Sequence, residues 1–370
     1  MNPALLTTMS IDEAMKKQFE LTKSIADEFS GSEFFNQGDL GVVPGLGRPS
    51  HTRKVENVLA KFFGVPSCAL IRGAGTGSIR YTLSALLNAG DKLFMHKSPM
   101  YTTTKETVRM LGLNPVFVDF NNQHELESVL SEHTGCKVFY AQHSRQMPDD
   151  TYDLASLIKS VKEVRPELPI VVDDNYTVFK VPRIGVELGA SYSCFSGFKL
   201  LGPPGIGMIV GEEEAINTIR QRNYSGGGQV QGYEAMELLR SLVIAPVTMA
   251  VQNEETQRLA DKLNSGGIPQ VEQAIVANAQ EKNVIVTLKE PIAQEVIAES
   301  EKHGAAVYPV GAESRFEILP MIYRVSGSFL EANPELIKTG IRINLMRSGA
   351  DLAVDILKKA IHDVETRFKN

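Results

Sequence analysis

Between residues 68 and 172 the chain alternates short apolar runs with longer stretches of helical period. The runs at 68–71, 92–96, 116–118, 137–141 and 170–172 have continuous rather than alternating apolar centres, as expected of strands buried on both faces. Between them, 78–87, 104–111, 124–132 and 153–164 carry apolar residues at helical spacing. Such a rhythm predicts an α/β fold. Its large domain has a mainly parallel (mixed) sheet covered by helices on both faces.

The flanks read differently. A helix is expected over 11–29, with Ser10 as N-cap and Glu13 completing a capping box. A glycine- and proline-rich stretch (31–49) follows, then a helix over 51–63 that Gly64 stops. From 246 the rhythm changes. A helix at 251–263, strands at 284–288, 306–308 and 341–344, and helices at 292–303 and 352–368 suggest a smaller C-terminal α/β domain. The expected division is an arm (1–50), a large domain (51–245) and a small domain (246–370).

Composition narrows the partners. Thirty-eight lysines and arginines against 44 acids give a net charge of −6, with no basic run, which argues against nucleic acid. No run approaches the roughly 20 apolar residues of a membrane span. Residues 1–19 lack a signal-peptide pattern. Cys68, Cys136 and Cys194 are few and scattered, fitting reduced structural thiols and a cytoplasmic location. With neither a Cys-x-x-Cys pair nor His-Glu-x-x-His, no metal site is expected.

The candidate chemistry lies at strand ends. Gly73-Ala74-Gly75-Thr76-Gly77-Ser78 follows a strand and opens a helix, where backbone N–H groups and the helix dipole favour a phosphate. A structural strand-helix turn is the alternative reading. Tyr101, past the next strand, is placed to stack on a flat ring or simply to pack. Gln142 and His143 end a further strand. Asp173 ends a buried strand, where a carboxylate needs a partner; Asp174 competes with it. Lys199 sits among Phe195, Phe198, Leu200 and Leu201, with Ser196 three positions before it. Desolvation there favours the neutral amine. A lysine that forms an imine and an aspartate that keeps a pyridine nitrogen protonated are the two groups pyridoxal 5'-phosphate (PLP) requires. Arg342, on a late strand, suits a substrate carboxylate or a structural ion pair, with Arg347 as its competitor.

These residues resemble the fold-type I PLP enzymes, the aspartate aminotransferase superfamily. Lys-x-x-Gly-Pro-x-Gly-x-Gly at 199–207 and the turn Gly226-Gly227-Gly228-Gln229 resemble those of class V aminotransferases and cysteine desulfurases. The whole chain more closely resembles the YhfS-like family, in Gly38-Asp39-Leu40-Gly41, Asp173-Asp174-Asn175-Tyr176, Phe198-Lys199-Leu200 and Ile341-Arg342-Ile343-Asn344 among other stretches. The resemblance implies Lys199 as the Schiff-base lysine and Asp173 as pyridinium partner. It further implies Gly75, Thr76, Gly77 and Ser196 around the phosphate, Tyr101 on the ring and Arg342 on the substrate carboxylate; His143, from its place at a strand end, reads as a contact to the phenolic oxygen of PLP or as a structural histidine. It also implies a homodimer with shared sites, to which Arg48, Ser225, Gly226, Gly227 and Gln229 contribute across the interface.

The expected activity is an aminotransferase acting on a small amino acid or amine. A lyase catalysing β- or γ-elimination from a Cys/Met-type substrate, a racemase, or a non-catalytic PLP-binding protein are the alternatives. Phe198 replaces the histidine usual in class V, and no cysteine follows Cys194 to carry a persulfide.

Overall fold

The computed structural model describes residues 4–145, 147, 149–225, 227–277, 282–308, 314–326 and 328–369. Helix α1 (Ile11–Glu28) and α2 (Ser50–Phe62) precede β1 (Ser67–Arg72), α3 (Ala74–Leu86), β2 (Lys92–His96), α4 (Thr102–Met110) and β3 (Asn114–Val118). Then come α5 (Gln123–Glu132), β4 (Cys136–Gln142), α6 (Leu154–Val164), β5 (Ile170–Asp173), β6 (Tyr192–Ser196), β7 (Ile206–Gly211) and α7 (Glu213–Arg222). Helix α8 (Gly232–Lys262) leads into β8 (Val271–Ala277), β9 (Asn283–Leu288), α9 (Ala293–Lys302) and β10 (Met321–Arg324). The chain closes with α10 (Ser328–Ala332), α11 (Leu336–Thr339), β11 (Gly340–Asn344) and α12 (Ala350–Lys369).

Seven strands form one sheet in the order β1-β7-β6-β5-β4-β2-β3. All run parallel except β7, which pairs antiparallel with both β1 and β6. Apolar side chains fill both faces: one packs with α3, α4 and α7, the other with α1, α2 and α8 and with α5 and α6. That is the expected α/β architecture. A smaller antiparallel sheet, β10-β11-β9-β8, packs against α9 and α12 through its own core. Among the described residues no helix is long and apolar enough to cross a membrane, and no cluster could hold a metal ion.

Local chemistry explains the boundaries. Ser10 Oγ accepts from the Glu13 N–H while Glu13 accepts from the Ser10 N–H, so the capping box is formed as expected. The glycine-rich arm is held by Asp39, which accepts from the Ser50 and His51 N–H groups at the start of α2. Strand β7 lies in a glycine-rich segment. Gly207 is needed there: a Cβ would lie 2.2 Å from the Ala74 carbonyl oxygen, so glycine lets the start of α3 press on the sheet.

Several expectations change. Helix α8 starts at Gly232, not near Val251, and runs through Pro246; its buried face, including Leu238, Leu242 and Met249, packs into the large core and overrides the proline. Helix α3 starts at Ala74, ahead of the expected Ser78, because its glycines form the first turn. Strands β6, β7, β8 and β10 escape the sequence reading. Of the strand expected at 306–308, Ala306 makes a lone bridge to Met321.

Candidate active site

The carboxyl ends of β1, β4, β5 and β6 converge on a cavity of about 210 Å³. Ligands of open parallel sheets bind at this edge. Gly75, Thr76, Tyr101, Asp173, Ser196 and Lys199, all expected from sequence, line it.

At one end, Gly73 caps α3 with φ 100°, in the left-handed region, and its N–H and that of Ala74 donate to the Gly205 carbonyl. Helix geometry leaves the N–H groups of Gly75 and Thr76 without acceptors inside the helix, so this end suits an anion. A Cβ at Gly75 would fall 1.8 Å from Asn175 Oδ1. Ser196, buried at the end of β6, lines the same cavity. Gly77 packs instead on the carbonyl of Arg72 beneath the helix.

The two adjacent aspartates are distinguished by strand alternation. Asp173, in register with Gln142 of β4, faces the cavity with it. Its Oδ1 accepts from the Asn175 N–H at 3.0 Å and Asn175 Nδ2 at 2.7 Å, and its Oδ2 from the Tyr140 hydroxyl at 3.2 Å. Burial pushes its carboxyl above the usual range, with the Asn175 donors and the Lys199 charge opposing. A nearby cation is therefore what this carboxylate needs. Asp174 turns away. It accepts from His143 Nδ1 at 2.6 Å, Thr177 Oγ1 and the Gly185 N–H. Burial pushes it up, but the His143 hydrogen bond and charge hold it below its ordinary value.

Lys199 sits in a single 3-10 turn, Phe198–Leu200. Its Nζ lies 3.5 Å from the centre of the Tyr176 ring. Tyr101, at the head of α4, is 38% exposed and lines the open side. An anion cradle, a carboxylate seeking a cation, an amine and a flat aromatic wall around one cavity fit a phosphorylated pyridine aldehyde.

Other candidates lie elsewhere. His143 is bound to Asp174 and does not line the cavity; Gln142, one position earlier, does. Arg342 is outside the lining, with Nη2 donating to the Ser326 carbonyl. Arg48 donates to both oxygens of the buried Glu56, which also pairs with Arg220. The Gln229 amide donates to the carbonyls of Asn223 and Tyr224. Ser225 and Gly227 sit on an exposed or partly exposed turn, and Gly226 lies outside the described residues. Of the segment 308–317 that reads as substrate-facing, 309–313 also lie outside them. Phe198, expected beside Lys199, lines the cavity, as do Asn175, Tyr176 and Thr103, to which the sequence reading gave no role. Asn175 and Tyr176 stand in the 173–176 stretch already singled out, but what they touch depends on neighbouring elements.

Comparisons with known proteins agree with this geometry. The model of the family described as Cys/Met metabolism PLP-dependent enzyme matches residues 46–290. That of the YhfS-like C-terminal domain matches 257–357. Protein YhfS of Escherichia coli is 47% identical over 97% of this chain and 99% of its own length. The crystal structure of the pyridoxal-5'-phosphate dependent protein YhfS from Escherichia coli has a TM-score of 0.95 at 46% identity, covering 98% of this chain and 100% of that one. Cystathionine gamma synthase from Xanthomonas oryzae pv. oryzae shares the fold, with a TM-score of 0.69 at 14% identity over 95% of this chain and 98% of that chain. The family model is thus that of the Cys/Met enzymes and does not confirm the likeness of the lysine loop to class V aminotransferases. The chain belongs to the Cys/Met metabolism PLP-dependent enzyme family and carries a YhfS-like C-terminal domain.

Proposed function

We propose that the protein is a PLP-dependent lyase that eliminates the β- or γ-substituent of a small sulfur-containing amino acid. The carrying observation is the Cys/Met family match across 46–290, the segment that holds every residue lining the cavity. It favours elimination over the aminotransferase and racemase readings, which use the same groups.

Bound PLP supplies an electron sink for the bond broken at the substrate Cα. Lys199 would hold the cofactor, and its amine would serve as the base for the substrate α-proton, beside the apolar Phe198. Asp173 offers its carboxylate to the pyridine nitrogen. The N–H groups of Gly75 and Thr76, with the Ser196 hydroxyl, bind the phosphate, and Gly77 lets the helix lie close beneath. Tyr101 covers the ring. For the substrate carboxylate Arg342 is preferred to Arg347. Arg342 donates from Nη2 to the Ser326 carbonyl but keeps a buried Nε without a hydrogen-bond partner, whereas Arg347 Nη1 donates to Gln252 Oε1 at 2.5 Å.

The working unit in this reading is a cytoplasmic homodimer. Phe35, Leu40 and Tyr224 are 88%, 78% and 74% exposed, and a second copy is the natural cover for so much apolar surface. The buried unpaired Cys68, Cys136 and Cys194 suit a reducing compartment.

The test is incubation of the PLP-loaded protein with cysteine, methionine and their S-substituted analogues. The expected result is release of keto acid and ammonia while the visible cofactor band persists. Conversion to the pyridoxamine form without ammonia would overturn elimination in favour of transamination. Loss of optical activity alone would favour racemisation.

A further inference from the structure

Tyr140 lies inside β4, 3% exposed, on the same strand face as Gln142. Its ring packs into the core between the sheet and α3. Its hydroxyl does not line the cavity, yet it reaches Asp173 Oδ2 at 3.2 Å from the neighbouring strand. On the other side it stands 3.5 Å from Thr104 Oγ1. Thr104 lies on α4, beside the cavity-lining Thr103 and close to Tyr101. A hydrogen-bonded chain therefore runs beneath the cavity floor from α4 through β4 to the end of β5.

The two carboxylate oxygens of Asp173 are held from different directions. Asn175 takes Oδ1 with two donors, and Tyr140 takes Oδ2. A carboxylate pinned at one oxygen can still rotate, whereas one pinned at both presents its remaining lone pairs in a fixed direction. Burial and the charge of Asp173 keep the Tyr140 hydroxyl protonated, so it acts as donor.

We propose that Tyr140 is a positioning residue for the cofactor: its hydroxyl, backed by Thr104, fixes the direction in which Asp173 faces the pyridine nitrogen. This rests on the reading of Asp173 as the ring-nitrogen partner. Tyr140 touches neither cofactor nor substrate and acts through Asp173.

The experiment is a PLP titration of the apoprotein, followed by absorbance across pH, for wild type, Tyr140→Phe, Thr104→Val and Asp173→Asn. Phenylalanine keeps the ring packing and removes one hydrogen bond to a charged group, so the Kd for PLP should rise about tenfold or more. The pH midpoint of the bound cofactor's visible band should move with it, while the unfolding midpoint of the apoprotein stays near wild type. Thr104→Val should shift both in the same direction by less. A Kd within twofold of wild type and an unmoved band in Tyr140→Phe would overturn the proposal. If Asp173→Asn is then impaired, only the role of Tyr140 falls; if it too is unchanged, the assignment of Asp173 falls as well. Should Tyr140→Phe fail to fold, an unchanged Thr104→Val would overturn the proposal.

Discussion

At Gly75 the amide of Asn175 occupies the place where a side chain would begin. The same amide donates to Asp173, so one substitution should disturb both the phosphate end and the ring-nitrogen end of the site. Gly75→Ala is expected to raise the Kd for PLP by about tenfold or more, the cost of displacing a hydrogen bond to a charged group, as an absorbance titration would measure. Lys199→Ala should abolish covalent attachment of PLP, checked by mass spectrometry after borohydride reduction, and lower turnover by about a thousandfold or more. The preference for Asp173 over Asp174 is also a residue-scale matter. A strand sends neighbours to opposite faces, so Gln142 and Asp173 meet the cavity while His143 and Asp174 pair behind it.

Among the elements, β1 forms one edge of the large sheet and β3 the other. Glu56 of α2 covers the β1 edge: it accepts from the Leu70 N–H and pairs with Arg48 and Arg220, and Arg220 also donates to the Cys68 carbonyl. Glu56→Ala would leave two largely buried guanidinium groups without their carboxylate. We expect a loss of about 3–5 kcal/mol, measured by denaturant unfolding. Asp39 does comparable work for α2. Burial raises its carboxyl, but the N–H groups of His51 and Ser50 with their side chains hold it at about 2, against 3.8 ordinarily. A carboxyl depressed in the folded state stabilises fully above 3.8, and that contribution fades as pH falls toward about 2. An Asp39→Ala variant should therefore melt several degrees below wild type at neutral pH, and the gap should close toward pH 2 in a thermal-unfolding series.

At the scale of the whole molecule, the arm (31–49) and the turn around 224–228 carry apolar side chains that one protomer leaves in water. Sedimentation should find a dimer, and Phe35→Glu with Leu40→Glu should shift it toward monomer with loss of activity. A variant that remains dimeric and active would place the interface elsewhere. Arg48 and Gln229 are held by Glu56 and by backbone carbonyls within the protomer, so the exposed turn residues are the better candidates to cross an interface. The small sheet shares α8 with the large core, since the helix packs into the large core at Leu238 and into the core of the small sheet at Leu259. A sequence reading that begins this helix at Val251 misses the shared element.

What the sequence determined by itself was local in cause. The capping box at Ser10 and Glu13, the apolar strands of the large sheet, and the order of glycine turn, Asp173 and Lys199 each depend on spacing within one or two elements. Hydrogen bonding and burial act on such short stretches in much the same way wherever they sit. The tertiary structure decided what depends on partners brought together by strand order. It alone set Tyr140 on Asp173, Asn175 against Gly75, β7 beside β1, and Arg220 beside Glu56. A buried tyrosine in an apolar strand looks like core until the neighbouring strand supplies a carboxylate. Burial makes that pairing matter, because an unmet polar group costs most where water cannot reach it.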